Sequence, residues 1–147
     1  MTSSLHFLKQ IAKSKEPYSK YGNQIIIKKG VKFDSKLESS FDDFITAHSQ
    51  IKLIERQVKI ELLPKYRHPL TGEAMRAIFY VADFLIKFDE KFFLVDSKGF
   101  MTSDFIIKYK LMIDKYLSGE CPLLIVAKTT KELINQLELT YHLDNPR

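Results

Sequence analysis

Between Phe79 and Gly99 the chain reads FYVADFLIKFDEKFFLVDSKG, two apolar runs parted only by Asp89-Glu90. That pattern predicts a β-hairpin with its turn at the two acids. The first arm runs from about Arg76 to Phe88 and is rich in Phe, Tyr, Val and Ile, as strands are. The second, Phe92 to Lys98, alternates: Phe92, Leu94, Asp96 and Lys98 share one face, and Phe93, Val95 and Ser97 the other. Asp-Glu is not the usual type I′ signature, which favours Asn-Gly or Asp-Gly. If Phe88 pairs with Lys91, the register brings Asp83 opposite Asp96, with Cβ atoms roughly 5 Å apart. Two carboxylates that close repel unless a proton or cation lies between them. Lys98 projects to the same side as Asp96. A half-exposed sheet accounts for one such acid on its surface. It accounts less well for Asp83 flanked by Val81, Ala82, Phe84 and Leu85 together with Asp96 beside Leu94 and Val95, because an unpaired buried acid is costly.

The remaining pattern supplies the elements around this hairpin. Ser4 to Lys13 fits a short amphipathic helix with Leu5, Leu8, Ile11 and Ala12 on one face, and Lys13 to Lys20 reads as a linker. Gln24 to Ile27 is a short strand, with Lys29-Gly30 as a turn. Phe33, Leu37, Phe41, Phe44, Ile45 and His48 recur at helical spacing, so Phe33 to Ser49 is a helix. Ser35 and Glu38 form a capping-box pair. Glu38 is therefore either a cap alone or an acid aimed from the helix start towards the sheet. Glu55 to Leu63 is a strand with Val58, Ile60 and Leu62 on one face, and Gln57 with Lys59 on the other. Pro64 to Ala74 reads as a loop from its prolines and Gly72. Beyond the hairpin, Ser103 caps a helix to about Leu117, with Phe105, Tyr109, Met112, Ile113 and Tyr116 inward, and Gly119 stops it. Pro122 to Ala127 is a short apolar run, the mark of a buried strand reached by a crossover helix. Thr130 to Leu139 is the last helix.

A length of 147 residues, 45% hydrophobic and 28% charged, suits one globular domain. No long uncharged apolar run suggests a membrane span, and the first residues lack a signal-peptide core, so the cytosol is the expected location. Cys121 is the sole cysteine and the histidines His6, His48, His68 and His142 are scattered, which argues against a disulfide or a zinc site. Charge changes the picture more. The first 36 residues hold eight lysines against Glu16 and Asp34, a balance of +6, so the rest of a +5 chain stands at −1. A basic arm over residues 1–20, preceding a single domain over 21–147, suggests a polyanionic partner, nucleic acid before membrane. The loop residues Lys65, Tyr66, Arg67 and His68, with Arg76, add cations beside an aromatic, which suits backbone contact and base stacking.

The order helix, three strands, helix, strand, helix now carries acids at Glu38, Asp83 and Asp96, with Lys98 one residue beyond the last. In this the chain resembles the PD-(D/E)XK nuclease superfamily. Asp96-Ser97-Lys98 matches the (D/E)XK half, Asp83 the acid before it, and Glu38 the acid of the first helix. The segments KYGNQ, VKFDSKLE, ERQ, YVADF and VDSKG are similar to small phage-encoded nucleases related to phage endonuclease I-type Holliday junction resolvases. The likeness spans about Tyr21 to Lys110. Two departures stand out: Ala82 replaces the proline expected before the first acid, and the acid of the (D/E)XK pair is Asp rather than the commoner Glu.

The resemblance implies an α/β fold with a restriction-endonuclease-like αβββαβ core, its mixed central sheet flanked by helices. It implies a Mg²⁺-dependent endonuclease, with Mn²⁺ as a substitute, acting on branched DNA as a homodimer in a phage-infected or prophage-carrying bacterial host. Asp83, Asp96, the Ser97 carbonyl and Glu38 would hold the metal. Lys98 would hold the attacking water or a phosphate oxygen. Gln57 would orient that water, or is simply a strand-face amide. Candidate DNA contacts are Lys28, Lys29, Lys32, Lys36, Lys65, Arg67, Arg76 and Lys108. The alternatives are a nicking or transposase-type nuclease subunit of the same fold, or a DNA-binding protein without catalysis.

Overall fold

The computed structural model describes residues 26–28, 30–33 and 35–144. The basic arm, Lys29, and the side chain of Lys32 lie outside the described residues, as does the helix expected over Ser4 to Lys13. The described chain runs β1 (Ile26–Lys28), β2 (Val31–Phe33), α1 (Lys36–Ala47), β3 (Ile51–Leu63), β4 (Tyr66–Arg67), β5 (Ala74–Met75), β6 (Ile78–Phe88), β7 (Lys91–Ser97), α2 (Ser103–Leu117), β8 (Leu123–Ala127), α3 (Thr130–Leu139) and α4 (Tyr141–Asp144). The main sheet has the order β3-β6-β7-β8. Its first three strands are antiparallel neighbours, and β8 joins β7 in parallel through the α2 crossover. This is the expected mixed α/β core in the order αβββαβ.

Helices cover both faces. On one, Phe41 and Ile45 of α1 and Leu133 and Leu137 of α3 pack on Phe84, Ile86, Phe93 and Val95. On the other, Phe105 and Met112 of α2 pack on Val58, Tyr80, Leu85 and Leu94. Sheet residues alternate between these clusters as a pleated strand requires, except at the β3 register shift after Leu53 and level with Asp83. In β6, Ala82 belongs to the α2 side and Phe84 to the α1 side, so the alternation changes phase at Asp83. Opposite, Val58 pairs with Ala82 and Arg56 with Phe84. The same phase change therefore falls at Gln57 in β3.

Several boundaries differ from the sequence expectation, each for a local reason. Phe33 ends β2 rather than opening the helix, because Ser35 is the N-cap and its hydroxyl accepts from the Glu38 backbone N–H at 3.1 Å. The crossover helix α2 is capped by Thr102, whose hydroxyl accepts from the Phe105 N–H at 3.1 Å, and not by Ser103. Tyr109 sits at the rim, 36% exposed. The strand expected from Glu55 begins at Ile51, where register shifts between Leu53 and Glu55 absorb an extra residue. The expected loop after Pro64 contains the small β4–β5 ribbon.

The hairpin register holds, with Phe88 against Lys91 and Phe84 against Val95. Its two-residue turn places Asp89 at φ 49° and Glu90 at φ 62°. Both residues are thus left-handed, as a type I′ turn demands, even without its favoured residues. A non-glycine residue in this region costs about 1–2 kcal/mol. The Lys87–Glu90 ion pair at 3.0 Å, with Glu90 almost fully exposed, offsets little of that. Replacing the turn by Asn-Gly (Asp89→Asn with Glu90→Gly) is expected to stabilise the protein by about 1 kcal/mol, read as a higher urea midpoint at unchanged m-value.

Candidate functional site

The β6–β7 ladder ends at Phe84↔Val95, one pair short of Asp83 and Asp96. Both flanking ladders run on past that point: β3–β6 to Leu63↔Ile78 and β7–β8 to Ser97↔Ala127. The sheet is thus open between β6 and β7 at one end. A cavity of about 700 Å³ occupies this opening, lined by Glu38, Tyr80, Asp83, Asp96, Lys98 and Lys108 among others.

Side chains replace the missing ladder bonds. Asp83, 1% exposed, accepts at Oδ2 from the Ser97 N–H and from the Ser97 hydroxyl, each at 2.8 Å. Asp96, fully buried, accepts at Oδ2 from the Tyr80 hydroxyl at 2.5 Å and lies 3.3 Å from Lys98 Nζ. The Lys98 ammonium also sits 4.7 Å from the centre of the Phe105 ring, a cation–π contact. Its backbone N–H is tied to Ala127 O at 3.0 Å. The sequence expectation placed Asp83 and Asp96 as a facing pair. The ladder stops one pair before them, and Asp83 accepts from Ser97.

Glu38 arrives from the first turn of α1. It is 3% exposed, and its carboxylate accepts from Gln57 Nε2, so the helix start does point the acid at the sheet. Gln57 stands behind Glu38 and is not among the residues lining the cavity. Its φ of 54° is left-handed in the middle of a strand, a strain of order 1–3 kcal/mol. That one residue explains the phase change in β3. Adjacent strand residues normally point to opposite faces, yet Arg56 and Gln57 both turn to α1. Arg56 pairs with Asp42, Nε to Oδ2 at 2.5 Å and Nη2 to Oδ1 at 3.3 Å. Asp42 lies one turn beyond Glu38 on the same helix face. Two consecutive strand residues thus grip two helix acids four apart. A carboxylate only accepts, so the Gln57 amide must turn its nitrogen to Glu38. This leaves Oε1 buried without a partner among the described residues, a further penalty of about 1–3 kcal/mol. Gln57 is therefore more than the strand-face amide weighed from the sequence.

Tyr80 was not legible as a site residue, since a Tyr in an apolar strand reads as core. Burial, then the charge and hydrogen bond of Asp96, hold its phenol far above the ordinary value of 10, so it stays a donor to that acid. Of the proposed DNA contacts, Lys108 lines the cavity and pairs with Asp104 at 3.5 Å. Lys28 is ion-paired with Asp43, and Lys36, Lys65, Arg67 and Arg76 are exposed.

The donor set of Glu38, Asp83, Asp96 and Ser97 is entirely oxygen, which suits a hard cation such as Mg²⁺. Among the described residues no three acidic, histidine or cysteine side chains stand gathered as a metal cluster. The residues fit such an ion by donor chemistry and by the cavity they share.

Residues 18–132 match a family described as a protein of unknown function, DUF1064. The chain belongs to that family. The matched span covers every proposed site residue, from Lys28 to Lys108. No curated protein matches the chain, and no solved structure does. Among the described residues of this DUF1064 member, no helix is long and apolar enough to cross a membrane.

Tyr80→Phe removes the donor to Asp96 and is expected to cost about 1–3 kcal/mol near neutral pH. The alkaline limb gives a second readout. Burial raises the Cys121 thiol from 9.0 to about 11, and Tyr80 is raised further. In both cases the unfolded chain releases its proton first, so the folded state binds more protons and stability falls as pH rises. The Cys121 contribution is lost between about pH 9 and about pH 11, and that of Tyr80 from about pH 10 upwards. Urea midpoints across this range should fall less steeply for Cys121→Ala and for Tyr80→Phe than for the wild type.

Proposed function

We propose that this chain is a Mg²⁺-dependent DNA endonuclease of the PD-(D/E)XK type that cuts branched DNA as a homodimer. One observation carries the reading. Asp83, Asp96 and Lys98 from one hairpin, and Glu38 from the preceding helix, line a single opening in the sheet. These are the positions and the order that the resemblance implies.

Each side chain has work suited to its setting. Asp83 and Asp96 would hold the ion, their carboxylates aimed by Ser97 and Tyr80. Glu38 would complete the oxygen set, positioned by Gln57. Bound there, Mg²⁺ supplies an activated water and neutralises charge developing on the phosphate. Lys98 stands partly exposed at the wall, held by Asp96 and Phe105. Its ammonium can orient the attacking water or a phosphate oxygen. Lys108 offers the strand a further cation on the same wall.

The direct test incubates labelled four-way junction, linear duplex and single strand with Mg²⁺, with Mn²⁺ or with EDTA. Incision of the junction that needs the metal is expected. Asp83→Ala, Asp96→Ala and Lys98→Ala should each lower cleavage by ~100-fold or more while leaving DNA binding measurable. Glu38→Gln should also cripple cleavage with little loss of stability, because the Gln side-chain oxygen can still accept from Gln57 and the Ser35 cap uses only the backbone N–H. Wild-type rates in the purified, folded variants would remove these residues from the mechanism. An absence of cleavage on every substrate with either metal would end the nuclease reading.

A further inference from the structure

Residues 64–77 leave the main sheet where Leu63 pairs with Ile78 and return to it at once. That is the open end of the sheet, two residues before Tyr80 on the cavity wall. The excursion is a narrow ribbon, Tyr66 against Met75 and Arg67 against Ala74. Its tip, HPLTGE, is unusually well braced for an exposed loop. The His68 N–H donates to Glu73 O and the Gly72 N–H to His68 O, both at 2.9 Å. His68 Nδ1 accepts from the Leu70 and Thr71 N–H groups, each at 3.2 Å. Arg67 Nη1 donates to Gly72 O at 3.0 Å, and Gly72 takes the left-handed conformation that closes the turn.

This rigid tip presents Leu70, 91% exposed. A single exposed leucine is ordinary on a protein surface. Here backbone bonds on both sides hold it at the furthest point of a ribbon, so ordering it on a partner costs little more conformational freedom. Charge indicates the partner. Lys65, Arg67 and Arg76 face a single acid, Glu73, across the excursion, a balance of +2, and all three cations are exposed. An apolar tip set among cations matches side chains that enter a base step while their neighbours hold the phosphates.

We propose that the 64–77 ribbon is a DNA wedge: Leu70 enters between bases at an unpaired or easily unstacked step, while Lys65, Arg67 and Arg76 hold the phosphates beside it. This rests on the DNA reading above and adds a device by which a distorted or branched site is recognised beside the cavity. A step that is already loose resists unstacking least, so the wedge favours such sites.

The test uses the full chain and a four-way junction carrying, at the branch, a fluorescent base analogue whose emission rises on unstacking. Wild-type protein should raise the emission. Leu70→Ser should abolish the rise and weaken junction binding by roughly tenfold, with an unchanged salt slope and melting temperature. Lys65→Gln with Arg76→Gln, which spares the Arg67 brace, should instead flatten the log–log salt slope by about two units. Binding without a rise in emission, or an equal rise with Leu70→Ser, overturns the wedge and leaves the nuclease reading standing. Failure of the wild type to bind any DNA overturns both.

Discussion

Burying carboxylates inside an apolar sheet is the constraint on which the rest of this structure depends. An ionised acid without partners cannot be held in such a place. Here the strands give way. The ladder between β6 and β7 stops one pair before the acids, and Ser97, Tyr80 and Lys98 take up the work of satisfying them. The opening that results is the cavity. Its walls stay in place because β3 and β8 continue to pair on either side. The local loss of backbone bonding is thus confined between intact ladders and does not spread as a frayed edge.

A second strain lies behind the first. Gln57 adopts a backbone conformation that glycine would take without penalty, and buries an amide oxygen with no partner. Departures of this kind persist where the surroundings over-determine them, and they concentrate at sites of function. The bond to Glu38 and the neighbouring Arg56–Asp42 pair supply that over-determination. They lock the first helix to the sheet at the level of the opening. Glu38 is thereby held by the same contacts that hold the helix.

Much of this arrangement could be read from residue order. The hairpin register followed from one pairing assumption, Phe88 with Lys91. Helix α3 keeps the bounds expected of it, Thr130–Leu139, and the short α4, Tyr141–Asp144, follows it in the stretch expected as a tail. The capping role of Ser35 was legible, and so was the pull of Glu38 towards the sheet as one of two options. What could not be read depends on contacts far apart in the chain. Strict alternation has no means of registering a left-handed residue within a strand, so the turning of Gln57 beside Arg56 was invisible. The partnership of Tyr80 with Asp96 needs the strands to part first. The turn at Asp89-Glu90 takes a conformation its residues disfavour because the twist of the flanking arms requires it.

The ribbon between β3 and β6 has a consequence of another kind. It hangs from two paired strand ends, and its internal bonds close within residues 66–75. Lengthening, shortening or exchanging that segment alters reach and surface chemistry without passing strain to Asp83. Whatever such a tip selects can therefore drift from one relative to the next at small risk to folding, while the acids behind it stay where the sheet holds them. The architecture separates what is variable from what is fixed, and it does so by attachment alone.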